Sequence, residues 1–190
     1  MGYTHYFRWH KAPTDEQWDA IRAKFLQCAH RAPEFTGTAG GYHEEDPLAI
    51  DAQGETEGVF KVASKNSTIE HTFVSTESMI LFNGCEPADG GGEADLGHET
   101  MLLERTCTPE DWQEDAFKSG EGIFNFCKTA RKPYDLLVCA LLLVCENEAP
   151  GCWTIRSDGD WSEWKQAINL VNEIYGLKGG IRTPEAIDPA

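Results

Sequence analysis

Apolar residues recur along this chain with two different spacings. Near the N-terminus, Tyr3, His5, Phe7 and Trp9 alternate with other residues, and this period of two predicts a β-strand. The same strand places His5 among apolar neighbours. Further stretches with strand character cover residues 58–63, 68–74, 79–82, 99–104, 122–127 and 152–156.

Three longer segments have helical spacing. Residues 15–30 are amphipathic and follow Thr14, which forms a capping box with Gln17. Residues 134–148 are apolar on nearly every side, which predicts a buried helix. Residues 161–175 again show one apolar face, so a third helix is expected there.

These patterns together predict an α+β fold. We expect one domain over residues 1–178, with a mixed, mostly antiparallel sheet flanked by about three helices. Residues 179–190 are expected to form a loose C-terminal tail, since the last residues of a domain are often poorly ordered.

The charge of the chain is strongly negative. It carries 16 basic and 32 acidic side chains, a formal net charge of −16, which argues against direct binding of nucleic acid. Between residues 33 and 104 there are 15 acidic and 2 basic side chains. This stretch is either a solvated surface or an acidic face that imitates nucleic acid and meets a basic host protein.

The cysteines and the apolar runs bear on the location of the protein. The seven cysteines show no zinc-ligand spacing, so we expect free thiols in a reducing compartment and no cofactor. The longest apolar run, residues 136–145, is about half the length that a membrane helix requires. The first ten residues have no secretory pattern. A cytoplasmic location in a bacterial host cell is therefore expected, with no membrane partner.

The segment from Phe124 to Asp135 is the strongest candidate for a binding site. Lys128, Arg131 and Lys132 stand just before a predicted helix N-terminus, where free N–H groups and the helix dipole favour an anion. Cations are unfavourable at that position unless something negative lies among them. The negative group is either an external anion or one of the protein's own carboxylates, such as that of Asp135.

Other residues have the chemistry of acid–base groups or metal ligands. His5, His98 and Glu99 are the candidate catalytic groups if the protein is an enzyme, because histidine transfers protons near neutral pH. The same residues could bind a metal together with Asp135 and Asp158. A histidine on an aromatic strand is more often a hydrogen-bonded core residue, and residues 157–159 are more often a turn, so we expect no metal. Cys127 beside Lys128 is a further candidate, as a nucleophile.

Several motifs resemble a family of uncharacterised proteins from bacteriophages and bacterial genomes. Members of that family open with MGYTHY and carry FNG, HETF and FCKTARKPYD. The corresponding segments here are residues 1–6, 82–84, 98–101 and 126–135, with Met101 in place of the usual phenylalanine. The resemblance implies a phage or prophage setting but no known activity.

Two functions are consistent with the sequence. The first is binding, with or without degradation, of a phosphorylated, nucleotide-like small molecule, which would counter host defence signalling. The expected ligand-binding residues are Lys128, Thr129, Arg131, Lys132, Tyr134, Asp135, Asn83 and Tyr3. The second is inhibition of a nucleic-acid-binding host factor by the acidic surface. The first function requires these residues to line one cleft, and the second requires a continuous face of carboxylates.

Overall fold

Eight strands and four α-helices follow one another in the computed structural model, which describes residues 2–33, 46–65, 68–86, 95–177 and 179–187. The strands are β1 (Thr4–Trp9), β2 (Ile50–Asp51), β3 (Val59–Ala63), β4 (Glu70–Ser75), β5 (Met79–Gly84), β6 (Met101–Glu104), β7 (Ile123–Lys128) and β8 (Trp153–Ser157). The helices are α1 (Asp15–Arg31), α2 (Glu114–Lys118), α3 (Asp135–Glu148) and α4 (Trp161–Tyr175). The α+β prediction is confirmed.

The strands form two sheets. One has the order β7-β1-β8, and the other has the order β2-β5-β4-β3 with β6 also paired to β5. Every pairing between these strands is antiparallel. The sequence predicts a single mixed sheet, whereas the structure has two sheets. The reason is that β1 pairs with β7 and β8, which come more than a hundred residues later, and not with the strands of the other sheet.

Helix α3 lies at the centre of the hydrophobic core, as its all-round apolar sequence predicts. Eleven of its 14 residues are buried, and it packs against α1, α4 and β8. Buried residues from both sheets and from α1, α3 and α4 belong to one continuous cluster. One shared core is the physical basis for treating the described residues as one domain.

Local capping interactions fix the helix ends. The Thr14 hydroxyl accepts a hydrogen bond from the backbone N–H of Gln17, and the Gln17 side-chain oxygen accepts one from the backbone N–H of Thr14. The predicted capping box of α1 is therefore present. Helix α4 begins with a second capping box, from Asp160 and Glu163, and ends at Gly176 with φ +61°.

The C-terminal segment differs from the predicted loose tail. The backbone N–H of Arg182 donates to Asn147 at 2.8 Å, and that of Ile181 donates to Asn172 at 2.9 Å. Ile187 is 2% exposed at the end of a short 3-10 helix. Residues 181 and 182 are therefore held against α4 and α3 through their backbone, and the short 3-10 helix packs against β8. Among the described residues, none of the helices has both the length and the apolar content that a bilayer span requires.

Candidate functional site

Strand β1 is the middle strand of its sheet, so its side chains alternate between the core and the opposite face. His5, Phe7 and Trp9 point inward and are buried, whereas Tyr6 and Arg8 on the other face are half-buried. The predicted position of His5 among apolar neighbours is confirmed. The inward and outward faces of this sheet carry two different groups of polar residues.

On the inward face, His5 is the centre of a buried hydrogen-bond network. Its Nε2 lies 2.6 Å from Oδ1 of Asp135, and its Nδ1 lies 3.0 Å from the hydroxyl of Ser157. Thr129 also donates to Asp135 through its hydroxyl. His5 and Thr129 are fully buried. The network joins β1, the loop after β7, the start of α3 and the end of β8.

Ser157, His5 and Asp135 are hydrogen-bonded in the same sequence as the serine, histidine and aspartate of a serine-hydrolase triad. The serine hydroxyl, however, has no lone pair free to attack a substrate. With the Ser157 hydroxyl donating to His5, its oxygen accepts from the Gly159 amide at 2.9 Å and from the Trp164 indole at 3.2 Å. Both lone pairs are thus occupied, and a nucleophile requires a free one. With His5 also fully buried, this network stabilises the fold.

Cys139 on α3 completes a cluster of three residue types that bind metals. Its sulfur lies 3.6 Å from His5 Nε2 and 3.7 Å from Asp135 Oδ2. Two ligands of a tetrahedral zinc ion stand roughly 3.3 Å apart, given metal–ligand bonds of about 2 Å. The 2.6 Å separation of His5 and Asp135 is that of a direct hydrogen bond instead. Burial also raises the pKa of the Cys139 thiol, which keeps it protonated.

Two of the three cations in the candidate segment have carboxylate partners within the protein. Arg131 Nε lies 2.8 Å from Glu163, and its guanidinium stacks 4.1 Å from the centre of the Tyr3 ring. Lys132 is 6% exposed, and its ammonium lies 3.1 Å from the Asp95 carboxylate. The sequence analysis suggested Asp135 as the internal carboxylate that pairs with these cations. In the structure the partners are Glu163 and Asp95.

The turn before α3 has an unusual backbone conformation. Ala130 and Arg131 both have left-handed backbone conformations, with φ of +52° and +60°. Such conformations cost roughly 1 kcal/mol or more for residues other than glycine. The amides of Thr129 and Ala130 both donate to the Tyr3 carbonyl at 3.1 Å, which holds the turn against β1.

The remaining predicted residues form a second hydrogen-bonded group. Asn83 donates to the His98 carbonyl at 3.0 Å and accepts from the His98 amide at 3.2 Å. The carboxylate of Glu99 accepts from the Lys128 amide at 2.7 Å, and the Glu99 carbonyl accepts from the Tyr134 hydroxyl at 2.7 Å. Among the described residues, no hydrogen bond joins His98 or Glu99 to His5.

Cys127 lies between these two groups, on the inward face of β7. It is fully buried, and burial raises the pKa of its thiol to about 12. Its neutral sulfur donates to the Glu99 carbonyl at 3.5 Å. A nucleophilic cysteine requires an accessible thiolate, so the environment of Cys127 is that of a structural residue.

The outward face of the same sheet carries aromatic rings and cations in register. Phe126 on β7 pairs with Tyr6 on β1, and Tyr6 pairs with Arg156 on β8. The next row contains Phe124, Arg8 and Thr154. We call these six residues, together with Lys128 at the end of β7, the outer face.

Aromatic contacts connect the outer face. The rings of Tyr6 and Phe124 lie 6.1 Å apart at 27°, and those of Phe124 and Phe126 lie 5.9 Å apart. The Arg8 guanidinium lies 5.3 Å from the centre of the Phe124 ring. Phe126 remains 52% exposed. A cavity of about 640 Å³ lies here, lined by Tyr6, Arg8, Glu121, Phe124, Thr154, Arg156 and Ser157.

The candidate segment predicted from the sequence contains three of the seven residues of the outer face. The candidate segment includes Phe124, Phe126 and Lys128, but the prediction assigned its function to the turn after the strand. Period-two alternation along β7 would have separated these residues from the buried Cys127. The partners Arg8 and Arg156 carry no local signal, because only strand pairing brings them together.

The acidic alternative depends on residues that the structure covers only in part. Of the 15 acidic residues between positions 33 and 104, five lie outside the described residues. These are Glu34, Glu44, Glu45, Asp89 and Glu93. The predicted continuous carboxylate face stays a prediction.

Comparisons of the chain with protein-family models, with curated proteins and with solved structures find no match, and so assign it to no family.

Proposed function

We propose that this protein binds a phosphorylated, nucleotide-like small molecule on the outer face of the β7-β1-β8 sheet. One observation carries the proposal. In a chain of net charge −16, an open sheet face combines stacked aromatic rings with Arg8, Arg156 and Lys128. The ligand class is the one expected from the sequence, and the site moves from the turn at Arg131 to the strand before it.

The aromatic rings supply a surface for a flat, apolar group. Phe126 is half exposed and adjoins Tyr6 across the strand pair, so a nucleobase can stack there with little rearrangement. Stacking of a base on an aromatic side chain contributes about 1–3 kcal/mol. The rigid sheet holds the rings in place before binding, which lowers the entropic cost of association.

The cations supply the complement to a phosphate. Among the described residues, neither Arg156 nor Lys128 forms an ion pair, and the Arg8–Glu121 pair is long, at 4.0 Å. Arg131 and Lys132, by contrast, are already paired. A guanidinium with free donors binds a phosphate through two parallel hydrogen bonds. Arg156, beside Tyr6, is therefore the main phosphate ligand in this proposal.

Binding alone is sufficient for the proposed role. The candidate catalytic groups His5 and Glu99 donate or accept hydrogen bonds within the protein, on the other side of the sheet or along its edge. In the phage setting that the motif resemblance implies, sequestering a host nucleotide signal would counter defence signalling without any chemical step.

Calorimetric titration with AMP, ATP, GTP and inorganic phosphate tests the proposal. We expect a nucleotide to bind, with an affinity that falls as salt rises. Phe126→Ala should weaken binding by roughly 5- to 150-fold, the equivalent of the lost stacking. Arg156→Gln should weaken nucleotide binding as well.

The matched control is Phe60→Ala. Phe60 is 37% exposed on the second sheet, away from the proposed site. The Phe60→Ala variant should bind nucleotides with the same affinity as the wild type. Equal affinities of the Phe126 and Phe60 variants, or the absence of binding by every nucleotide, would show that the outer face is not a nucleotide site.

A further inference from the structure

We infer that the outer face is built for a dinucleotide, meaning two nucleobases joined by a phosphodiester. The inference rests on the proposed function and deepens it. It comes from a second cavity of about 250 Å³ that adjoins the larger one. The two cavities share Arg8, Glu121 and Phe124, and Trp112 lines only the smaller one.

Trp112 is exposed in a way that the other tryptophans are not. It is 66% exposed, whereas four of the six tryptophans are buried and Trp161 is half-buried. Its indole N–H donates to the Glu110 carboxylate at 2.5 Å, and the neighbouring Gln113 donates to the Phe124 carbonyl at 2.9 Å. The ring is therefore held beside β7 although it buries little surface there.

The position of Arg8 connects the two aromatic sites. Arg8 lines both cavities and lies over the ring of Phe124, which contacts Phe126, and Trp112 lines the smaller cavity. One base stacked on Phe126 and a second on Trp112 would place their connecting phosphate over this guanidinium. Arginine at a boundary between two aromatic sites matches the alternation of base, phosphate and base in a dinucleotide.

The surrounding charge limits the length of the ligand. A mononucleotide would leave the Trp112 cavity empty. A longer strand would extend past Trp112 towards Glu110 or past Tyr6 towards Asp158, two exposed carboxylates. Glu121 also lines both cavities, 4.0 Å from Arg8, so repulsion from carboxylates grows with each phosphate added. On a chain of net charge −16 this repulsion disfavours a long polyanion. The occupant is therefore a free dinucleotide rather than a single strand.

The test compares AMP, the 5′-phosphorylated dinucleotide pApA and a twelve-residue oligoadenylate on the full chain. We expect pApA to bind at least tenfold more tightly than AMP. Trp112→Ala should reduce pApA affinity to the AMP level and leave AMP affinity unchanged, while Trp112→Phe should retain most of the difference. Circular dichroism of each variant checks that it is folded.

The outcomes separate the inference from the proposed function. Binding of AMP with no preference for pApA, or a pApA preference unchanged in Trp112→Ala, overturns the dinucleotide but leaves the outer face as a nucleotide site. Oligoadenylate binding more than tenfold tighter than pApA also overturns it, in favour of a single strand. Binding of none of the three, together with no binding of ATP or GTP, overturns the proposed function itself.

Discussion

His71 should make the stability of this protein depend on pH between about 4 and 6.5. This residue lies on β4 and is fully buried, and neither ring nitrogen has a hydrogen-bond partner. Burial therefore lowers the pKa of His71 from 6.5 to about 4, because the charged imidazolium is disfavoured without water or a partner.

The sign and size of the effect follow from proton linkage. In this range the unfolded chain binds a proton at position 71 more readily than the folded chain, so the free energy of unfolding falls as the pH falls. Above pH 6.5, His71 is mostly neutral in both the folded and the unfolded chain, so the free energy of unfolding loses little to its protonation. A depression of this size corresponds to about 3 kcal/mol in total, of which about 2 kcal/mol is lost by pH 5.

Urea unfolding of wild type and of His71→Leu, measured from pH 7.5 to pH 4, isolates this contribution. All other titrating groups are common to both proteins, so the difference between their unfolding free energies reports on position 71. Leucine should also be tolerated at pH 7.5, because it removes two buried nitrogens that lack partners.

The expected result is that His71→Leu gains on wild type by about 2 kcal/mol between pH 7.5 and pH 5. A constant difference across this range would refute the reasoning. It would mean that the imidazole titrates alike in the folded and unfolded states, and therefore that it reaches water or a partner in the folded protein.

Three further predictions concern the segments described above. Arg131→Ala should lower the free energy of unfolding by roughly 1 kcal/mol through loss of its partly buried ion pair with Glu163, while Lys128→Ala should change it by no more than about 0.5 kcal/mol. Equal effects in thermal melts would contradict the assigned partners. Gly159→Ala places a methyl carbon 2.0 Å from a tyrosine oxygen and should cost about 1–3 kcal/mol, whereas Gly179→Ala meets nothing within 4 Å and should be neutral by the same measurement. Thiol titration should count seven groups in denatured, non-reduced protein and none at Cys127 in the native state, and a count of five or fewer would indicate a disulfide.

The helices could be predicted because their signals are local. The capping box at Thr14 and the all-round apolar pattern of α3 involve residues within a few positions of one another, and both are present. The separation into two sheets could not be predicted in the same way. Strand pairing joins residues such as His5 and Ser157, which lie 152 positions apart, and no local pattern records that choice.

The candidate site shows the same division. The sequence identified Lys128, Arg131 and Lys132 as a cationic group, but it did not reveal their partners. Glu163 and Asp95 lie 32 and 37 residues from the cations they bind. The left-handed turn that separates the cations contains no glycine, so its geometry also left no mark in the sequence.

The central place of β1 bears on how the chain folds. Strand β1 pairs with β7 and β8, which both lie more than a hundred residues further along the chain. The second sheet, by contrast, consists of strands within residues 50–104. Because pairing between strands far apart in the sequence slows folding, we expect the second sheet to form before the β7-β1-β8 sheet. The aromatic strand β1 then remains unpaired until these later strands are available, and in that interval its apolar side chains are exposed to aggregation.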